Sequence, residues 1–358
     1  MKIAVANAQI PFVKGGAEVL CDSLCRELIR RGHRVEKILL PLQEFPPGRL
    51  MENVLAAKLM EIPQADLLIA LKFPAYLIPH PNKRYWIIHQ LRQAYDLYGT
   101  PFGYRDAPAL RAAIAREDTA ALGGAKEKIY TISDLVSRRL WEANGIPSTP
   151  LYCPLDEPES FSLAGYGDYV FYPSRVNALK RQSLLVEAMA YTRTPVRLLL
   201  AGRGDSGEEE KRIMALIRGR RLQEKVTYEN RFISQEEKLH HLARCLAVAF
   251  VPVEEDYGYI TPEAFASHKA VLTCTDSGGP LAFVEDGVTG FVRPPEPRAL
   301  ARALDELYAH RERTAAMGQA AWEKLKGMDI TWDHVITALT AAPASGDDAA
   351  LAGSKSRP

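Results

Sequence analysis

Two carboxylates eight positions apart, Glu255 and Glu263, form the sequence feature best suited to chemistry. Glu255 lies on the loop that leaves a buried apolar strand, predicted over 247–251. Thr261 and Pro262 are predicted to be the N-cap and the first residue of a helix that carries Glu263 in its first turn. A carboxylate there stabilises the helix dipole, which is a purely structural role. At the rim of a cleft, it can also accept hydrogen bonds from ribose or sugar hydroxyls.

Two cations, Arg175 and Lys180, follow the strand predicted over 169–172. A guanidinium fork together with an ammonium group can neutralise a diphosphate without a metal ion. A solvated basic loop is the alternative. The pair Gly15-Gly16 follows the first strand and opens a helix, where backbone amides bind anions and glycine permits close approach. A plain pair of loop glycines is equally compatible with this position.

Further candidate residues lie on loops after predicted strands. His89 ends an apolar strand, where a single histidine is commonly structural but can also donate or accept a hydrogen bond at a sugar hydroxyl. The sequence DSGGP forms a glycine-rich turn into a helix predicted over 279–284, which offers a second place for anionic or hydroxyl groups. The candidate donor-binding residues of this turn are Ser277, Gly278 and Gly279. Tyr257 and Gly258, on the loop that carries Glu255, are further candidates.

Residues 202–207, GRGDSG, match the dinucleotide-binding pattern G-x-G-x-x-G, with an acidic Glu229 further along. That pattern normally opens its domain, whereas here a strand and a helix come first. Arg203 and Asp205 would also place side chains where the backbone must approach a pyrophosphate. We therefore interpret the segment as a glycine-rich strand-to-helix turn, with Gly202 as a candidate donor contact.

The elements that must position these residues alternate between strand and helix in both halves of the chain. Continuous apolar strands predict parallel sheets that are covered on both faces. The expected fold class is α/β, with two Rossmann-like domains over 1–160 and 168–325 that face a central cleft. A Pro- and Gly-rich linker is predicted over 147–167. A terminal helix is predicted over 326–340, and a disordered tail over 341–358.

Composition excludes several classes of protein. The 358 residues include 45 Lys and Arg against 44 Asp and Glu, which argues against a nucleic-acid-binding protein. No apolar run is long enough for a transmembrane helix, and the first residues lack the features of a signal peptide. Five scattered cysteines do not have zinc-site spacing, so we expect a cytoplasmic protein with no metal site.

The amino-terminal half is slightly basic. Residues 1–150 contain 20 Lys and Arg against 15 Asp and Glu, which leaves the remainder slightly acidic. This charge would suit a phosphorylated or lipid-linked acceptor, with weak peripheral contact at the inner membrane face. Ordinary solvated surface charge is the alternative.

These residues together resemble the motifs of glycosyltransferase family 4, retaining enzymes with the GT-B fold. The family has two glutamates separated by seven residues, as Glu255 and Glu263 are, and an Arg-x4-Lys pair similar to Arg175 and Lys180. Its amino-terminal Gly-Gly loop is similar to Gly15-Gly16. Its histidine after an amino-domain strand resembles His89. The resemblance covers most of the chain and is strongest over 170–293.

The resemblance implies transfer of a hexosyl or related unit from a nucleotide-diphosphate sugar to an acceptor hydroxyl, with retention of configuration. In that family the Arg and Lys hold the donor diphosphate, the first Glu contacts the sugar and the second binds the ribose. The leaving diphosphate helps to deprotonate the acceptor, and no metal ion or other cofactor is expected. The chain departs from the family at Asp256, where glycine is usual, so the identity of the sugar and base stays open.

Two other functions remain open from the residues. One is a nucleotide-sugar epimerase of the same fold, and the other is a catalytically silent protein that binds sugar nucleotides. The acceptor class is also open among a glycan, a lipid-linked molecule and a small metabolite. A role in glycan or polysaccharide biosynthesis is the general expectation.

Overall fold

The computed structural model describes residues 1–13, 15–125, 129–205 and 207–341. Apart from Ala341, the predicted disordered tail lies outside these residues. Within them, the strands form two six-stranded sheets in which every pairing between neighbouring strands is parallel. The predicted α/β architecture of two Rossmann-like sheets is therefore confirmed.

The first sheet has the strand order β2-β1-β3-β4-β5-β6. Its strands are β1 Lys2–Gln9, β2 Arg34–Pro41, β3 Leu67–Ala70, β4 Lys83–Ile87, β5 Ile129–Thr131 and β6 Thr149–Pro150. The helices of this half are α1 Gly16–Arg30, α2 Leu50–Lys58, α3 Pro108–Leu122 and α4 Asp134–Asn144. The central strand β3 is buried at all four positions, which explains its unbroken apolar sequence LLIA. The two-residue strand β6 lies within the predicted linker. The first sheet therefore extends further along the chain than the sequence predicted.

The second sheet has the order β12-β11-β10-β7-β8-β9. Its strands are β7 Tyr169–Pro173, β8 Arg197–Ala201, β9 Val226–Glu229, β10 Ala247–Ala249, β11 Val271–Cys274 and β12 Gly290–Arg293. The helices of this half are α5 Gln182–Met189, α6 Glu208–Gly219, α7 Gln235–Arg244, α8 Ile260–Ala266, α9 Pro297–Ala309 and α10 Arg311–Gly327. Because β7 is the first strand of this half and lies beside β10, the order of connection reverses between these two strands.

The last described helix, α11 Trp332–Thr340, returns to the amino-terminal half. The Trp332 ring packs edge-on against Trp86 of β4, with 6.3 Å between centroids. An ion pair between Asp333 and Arg31 also joins α11 to the end of α1. The terminal helix thus begins later than the predicted residue 326 and links the two halves. None of the helices among the described residues has the length and apolar character needed to cross a bilayer.

Candidate active site

The site lies where the strand order of the second sheet reverses. Open parallel sheets bind ligands at the carboxyl ends of the strands that flank such a point. Arg175 follows β7 by two residues, and Glu255 lies on the loop after β10, so the reversal brings the predicted cation and carboxylate together. The loop that carries Gly15-Gly16 follows β1 of the other sheet and faces them.

Lys180 and Glu255 form a direct ion pair. The Lys180 Nζ donates a hydrogen bond to Glu255 Oε2 at 2.5 Å, and both side chains are mostly buried. Burial acts to raise the pKa of the Glu255 carboxyl, but Lys180, Arg92 and Arg175 outweigh burial and hold it below its usual range. Glu255 is therefore ionised at neutral pH, and the Lys180 ammonium still has donors for another anion.

Arg175 reaches across the cleft towards the glycine loop. Its Nη1 is 3.2 Å from Oδ1 of Asp205, which lies in the glycine-rich turn after β8. Its Nη2 is so close to Gly15 that a Cβ at residue 15 would lie 3.3 Å away. This glycine therefore allows the backbone of one sheet to approach the guanidinium group of the other.

A buried lysine that the sequence did not single out lies behind the same loop. Lys72 follows β3, and its side chain is only 9% exposed. Its ammonium group lies 3.8 Å from Glu18 Oε1. The other Glu18 oxygen accepts a hydrogen bond from the Gly15 amide at 2.8 Å. The signal in the sequence was a lysine directly after an apolar strand, at the same sheet edge as His89.

Glu263 is held by a second lysine that sequence reasoning missed. Lys238, on α7, donates a hydrogen bond to Glu263 Oε1 at 2.6 Å, and the carboxyl group is mostly buried. The helix that carries Glu263 begins at Ile260 with Tyr259 in the N-cap position, so the prediction of Thr261 as N-cap was wrong. Glu263 nevertheless lies in the first turn, as expected.

Two adjoining cavities connect these groups. One, of about 530 Å³, is lined by Arg175, Lys180, Glu255, Glu263 and Gly258, among others. The second, of about 310 Å³, shares Gly15-Gly16, Arg175 and Glu255 with the first and continues to Lys72 and His89. Glu255 thus lines both the cavity that contains the other predicted donor residues and the cavity that reaches Lys72 and His89 of the amino-terminal half.

The predicted donor residues Ser277, Gly278 and Gly279 are not among the residues that line either cavity. The Ser277 hydroxyl donates to the Pro252 carbonyl and accepts from the Cys274 amide, and the Gly279 amide donates to the Glu255 carbonyl. The segment predicted as a helix over 279–284 is only a 3-10 turn, Gly279–Ala282. Gly278 and Gly279 therefore support the Glu255 backbone. The Gly279 amide, which is bonded to Glu255, is not free to bind a ligand.

Tyr257 and Gly258 complete the loop after Glu255. The Tyr257 hydroxyl donates to the Cys153 carbonyl at 2.5 Å, and its ring is 3% exposed, so this side chain holds the loop rather than offering a free hydroxyl. Gly258 has φ +83°, and a Cβ there would lie 2.6 Å from the Phe250 ring. Only glycine fits where the loop turns into α8.

The described residues of the GRGDSG segment, 202–205 and 207, disfavour a dinucleotide pyrophosphate, and Ser206 lies outside the described residues. The segment follows β8, which is the second strand of its half in chain order. The Gly204 amide already donates a hydrogen bond to Glu210 Oε1 at 2.6 Å. Three glutamates, 208–210, occupy the first turn of α6, where an anion would otherwise bind. Gly202 brings β7 and β8 loops together, since a Cβ at this position would overlap the Ser174 carbonyl oxygen.

His89 lines the second cavity. Its Nδ1 is 2.6 Å from the Gln90 carbonyl oxygen, so that nitrogen carries the proton and donates. No described residue is a hydrogen-bond partner of Nε2. Burial, reinforced by Lys72 and Arg92, lowers the pKa of His89 to about 4. The neutral ring of His89, which lines the cavity, thus leaves Nε2 as a hydrogen-bond acceptor.

We expect His89 to remain neutral between pH 8 and pH 5. Because its pKa in the folded chain is about 4 against 6.5 for the free side chain, the unfolded state binds a proton first as the pH falls below 6.5. His89 therefore lowers the free energy of unfolding as the pH falls from 6.5 to 4. Urea unfolding at a series of pH values should show this slope, and His89→Gln should reduce it. An unchanged slope, or an NMR titration of the ring near pH 6.5, contradicts the assignment.

The described residues contain no cluster of three or more His, Cys, Asp or Glu side chains arranged to hold a metal ion. Independence from metals, expected from the sequence, stays a prediction.

Comparison with known protein families gives a match over the part of the chain that carries Arg175, Lys180 and Glu255. Residues 157–324 match the family of glycosyl transferases group 1. Human alpha-1,3/1,6-mannosyltransferase ALG2 is 26% identical over 166 residues, which cover 43% of this chain and 39% of that protein. The chain thus spans about two fifths of the length of that relative. D-inositol 3-phosphate glycosyltransferase of Nocardia farcinica is 28% identical, with 91% of this chain and 83% of that protein covered.

The fold is shared with solved structures. Anabaena Alr3699/HepE, solved in complex with UDP and glucose, superposes with a TM-score of 0.68 at 18% identity, covering 94% of this chain and 99% of that one. At this identity the likeness shows the fold alone. Residues 157–324 therefore match the family of glycosyl transferases group 1, and the chain as a whole has the two-domain GT-B fold.

Proposed function

We propose that this chain transfers a glycosyl unit from a nucleotide-diphosphate sugar to an acceptor hydroxyl, with retention of configuration. The observation that carries the proposal is the convergence of Arg175, Lys180 and Glu255 at the strand-order reversal, opposite the Gly15-Gly16 loop. The complex of Anabaena HepE with UDP and glucose, which has the same fold, supports a nucleotide-linked donor.

Arg175 and Lys180 would stabilise the charge that develops as the diphosphate leaves. Preorganised donors aimed at such charge commonly make the largest contribution to lowering a barrier. The bond between the sugar C1 and the phosphate oxygen breaks, and a bond from C1 to the acceptor oxygen forms on the same face. The acceptor proton passes to the leaving phosphate oxygen, so no protein nucleophile is needed.

The carboxylates would orient the donor. Glu255, kept ionised by Lys180, accepts hydrogen bonds from the sugar hydroxyls, and Glu263, held by Lys238, accepts from the ribose. His89 Nε2 accepts a hydrogen bond from another sugar hydroxyl, because its Nδ1 is already a donor to Gln90. These contacts fix C1 with its leaving group towards Arg175 and Lys180.

The acceptor and the cellular location remain predictions. A relative of similar length is named as a D-inositol 3-phosphate glycosyltransferase, which supports a polar, phosphorylated small molecule among the acceptor classes considered. Lipid-linked acceptors, peripheral membrane contact and a cytoplasmic location rest on the sequence alone.

The proposal is tested by incubating the purified chain with a panel of nucleotide sugars and candidate acceptors. Release of nucleoside diphosphate together with a glycosylated product, whose anomeric configuration is read by NMR, supports retaining transfer. A new sugar stereoisomer would instead show an epimerase, and binding without turnover would show a silent binding protein.

Metal independence is tested in the same assay. We expect the rate of transfer to be unchanged by EDTA, because Arg175 and Lys180 supply the positive charge that a divalent cation would otherwise provide. A complete loss of transfer that Mg²⁺ or Mn²⁺ restores would overturn this expectation.

A further inference from the structure

Two arginines of the amino-terminal half contact the loop that carries Glu255. Arg139, on α4, has Nη1 at 2.5 Å from Asp256 Oδ1 and Nη2 at 2.7 Å from Glu254 Oε2. Arg92 donates from Nη2 to the Glu254 carbonyl oxygen at 2.6 Å, and its Nη1 is 3.6 Å from Asp256 Oδ2. Both neighbours of Glu255 are therefore bound across the cleft by the same two arginines.

The two arginines are held in place by a carboxylate of their own half. Asp96 Oδ2 lies 2.7 Å from Arg92 Nη2 and 3.4 Å from Arg139 Nη1. The side chains of Arg92, Arg139, Asp96 and Asp256 are 13–16% exposed. Pairs at this depth are screened by salt much less than surface pairs, and loss of one partner leaves an uncompensated charge.

Backbone contacts follow the same pattern. The Ser133 hydroxyl, at the start of α4, donates to the Asp256 carbonyl oxygen at 2.7 Å. On its other side, the Glu255 backbone is fixed to its own half, with its amide donating to Ser277 and its carbonyl accepting from Gly279. Glu255 thus lies in a segment that both halves hold.

Asp256 directly follows Glu255 in the sequence, and its side chain contacts both Arg92 and Arg139. Burial raises the pKa of Asp256 to about 6, against the opposing effect of Arg92 and Arg139, so the carboxyl is mostly ionised at neutral pH. Asp256 therefore makes a charged contact between the two halves directly beside Glu255.

We propose that Glu254 and Asp256, bound by Arg92 and Arg139, form an interdomain clamp that keeps the two domains closed and positions Glu255 for the donor sugar. The four are positioning residues, since their contacts act through the Glu255 loop. The part that concerns Glu255 rests on the proposed function, whereas the closure of the domains does not.

The test uses the full chain with three single variants. Asp256→Asn keeps the shape of the side chain and removes its charge, and Arg139→Lys keeps the charge and removes the fork. Glu254→Gln changes a side chain that is 44% exposed, so it should fold even if the other two do not. Arg293→Gln is the matched control, because its 2.5 Å ion pair with Asp286 lies within the carboxy-terminal half.

Small-angle X-ray scattering without any ligand measures closure independently of catalysis. We expect the clamp variants to have a larger radius of gyration than the wild type, and the control to be unchanged. A saturating nucleoside diphosphate should restore part of the compactness, which a merely misfolded variant would not show. Equal radii for wild type and all clamp variants would overturn the claim that the clamp keeps the domains closed.

Kinetics with the donor found in the nucleotide-sugar panel tests the second claim. We expect Asp256→Asn to lower kcat/KM for the donor by about tenfold to a hundredfold, mainly through KM, and Glu254→Gln to have a smaller effect of the same kind. Unchanged kcat/KM in a variant that does open would overturn the positioning of Glu255. If the wild type transfers no sugar, the proposed function fails, and the scattering result still decides whether the clamp exists.

Discussion

Replacing both Arg175 and Lys180 by alanine is expected to lower kcat/KM for the nucleotide-sugar donor by about a thousandfold or more. Removal of a single donor to a developing oxyanion commonly costs a hundredfold to a thousandfold. Here the change removes two cations, and it also leaves the mostly buried Glu255 carboxylate without its 2.5 Å partner. The remaining negative charge would face the incoming diphosphate, so donor binding and turnover should both suffer.

Isothermal titration calorimetry with a nucleoside diphosphate separates the two effects, because it measures binding without turnover. A matched control is the double variant Lys211→Ala, Arg212→Ala, which removes the same number of positive charges from exposed positions on α6. We expect that control to bind and turn over like the wild type. Nucleoside diphosphate binding that is unchanged in the Arg175, Lys180 double variant would refute the assignment of the site.

The convergence of Arg175, Lys180 and Glu255 could be predicted because it depends on local patterns. Each follows a short apolar run, and the carboxyl ends of parallel strands share one edge of a sheet. Adjacent strands β7 and β10 therefore bring their loops together, although more than 70 residues separate them in sequence. The same reasoning placed Gly15-Gly16 and His89 at the facing edge.

The partners of these residues could not be predicted, because they come from elements with no local signal for chemistry. Lys238 is one of several charged residues on the amphipathic helix α7, and only the tertiary fold brings its side chain to Glu263 on α8. Arg92 and Arg139 meet Asp256 through the relative placement of the two sheets, which no periodicity encodes. The sequence did mark Asp256 as unusual, but its charge partners lie in the other half.

The misplaced helix start at α8 has a simpler cause. Pro262 was assigned to the first helical position because it lacks an amide hydrogen, yet the whole first turn of a helix leaves its amides unpaired. Proline is therefore tolerated two residues later, as it is here in the helix Ile260–Ala266. Gly258, with φ +83°, allows the chain to turn into the helix earlier than the proline suggested.

Gly202→Ala is expected to destabilise the chain by about 3 kcal/mol or more and to reduce donor binding in the fraction that folds. A Cβ at this position would lie 1.8 Å from the Ser174 carbonyl oxygen, and φ is +157°. Neither strand end can move freely, because the Gly202 amide donates to Glu229 and the Ser174 amide donates to Ala201. Relief of the overlap must displace the residue before Arg175, and with it the guanidinium group.

Gly207→Ala, in the same turn, is the control that separates backbone strain from this overlap. Its φ is +74°, but a Cβ there would have nothing within 4 Å, so we expect a loss of only about 1 kcal/mol. Urea unfolding measures both variants, and calorimetry with a nucleoside diphosphate shows whether only the first weakens binding. Equal losses of stability and of binding in the two variants would mean that the close approach of Gly202 to Ser174 does not support the Arg175 loop.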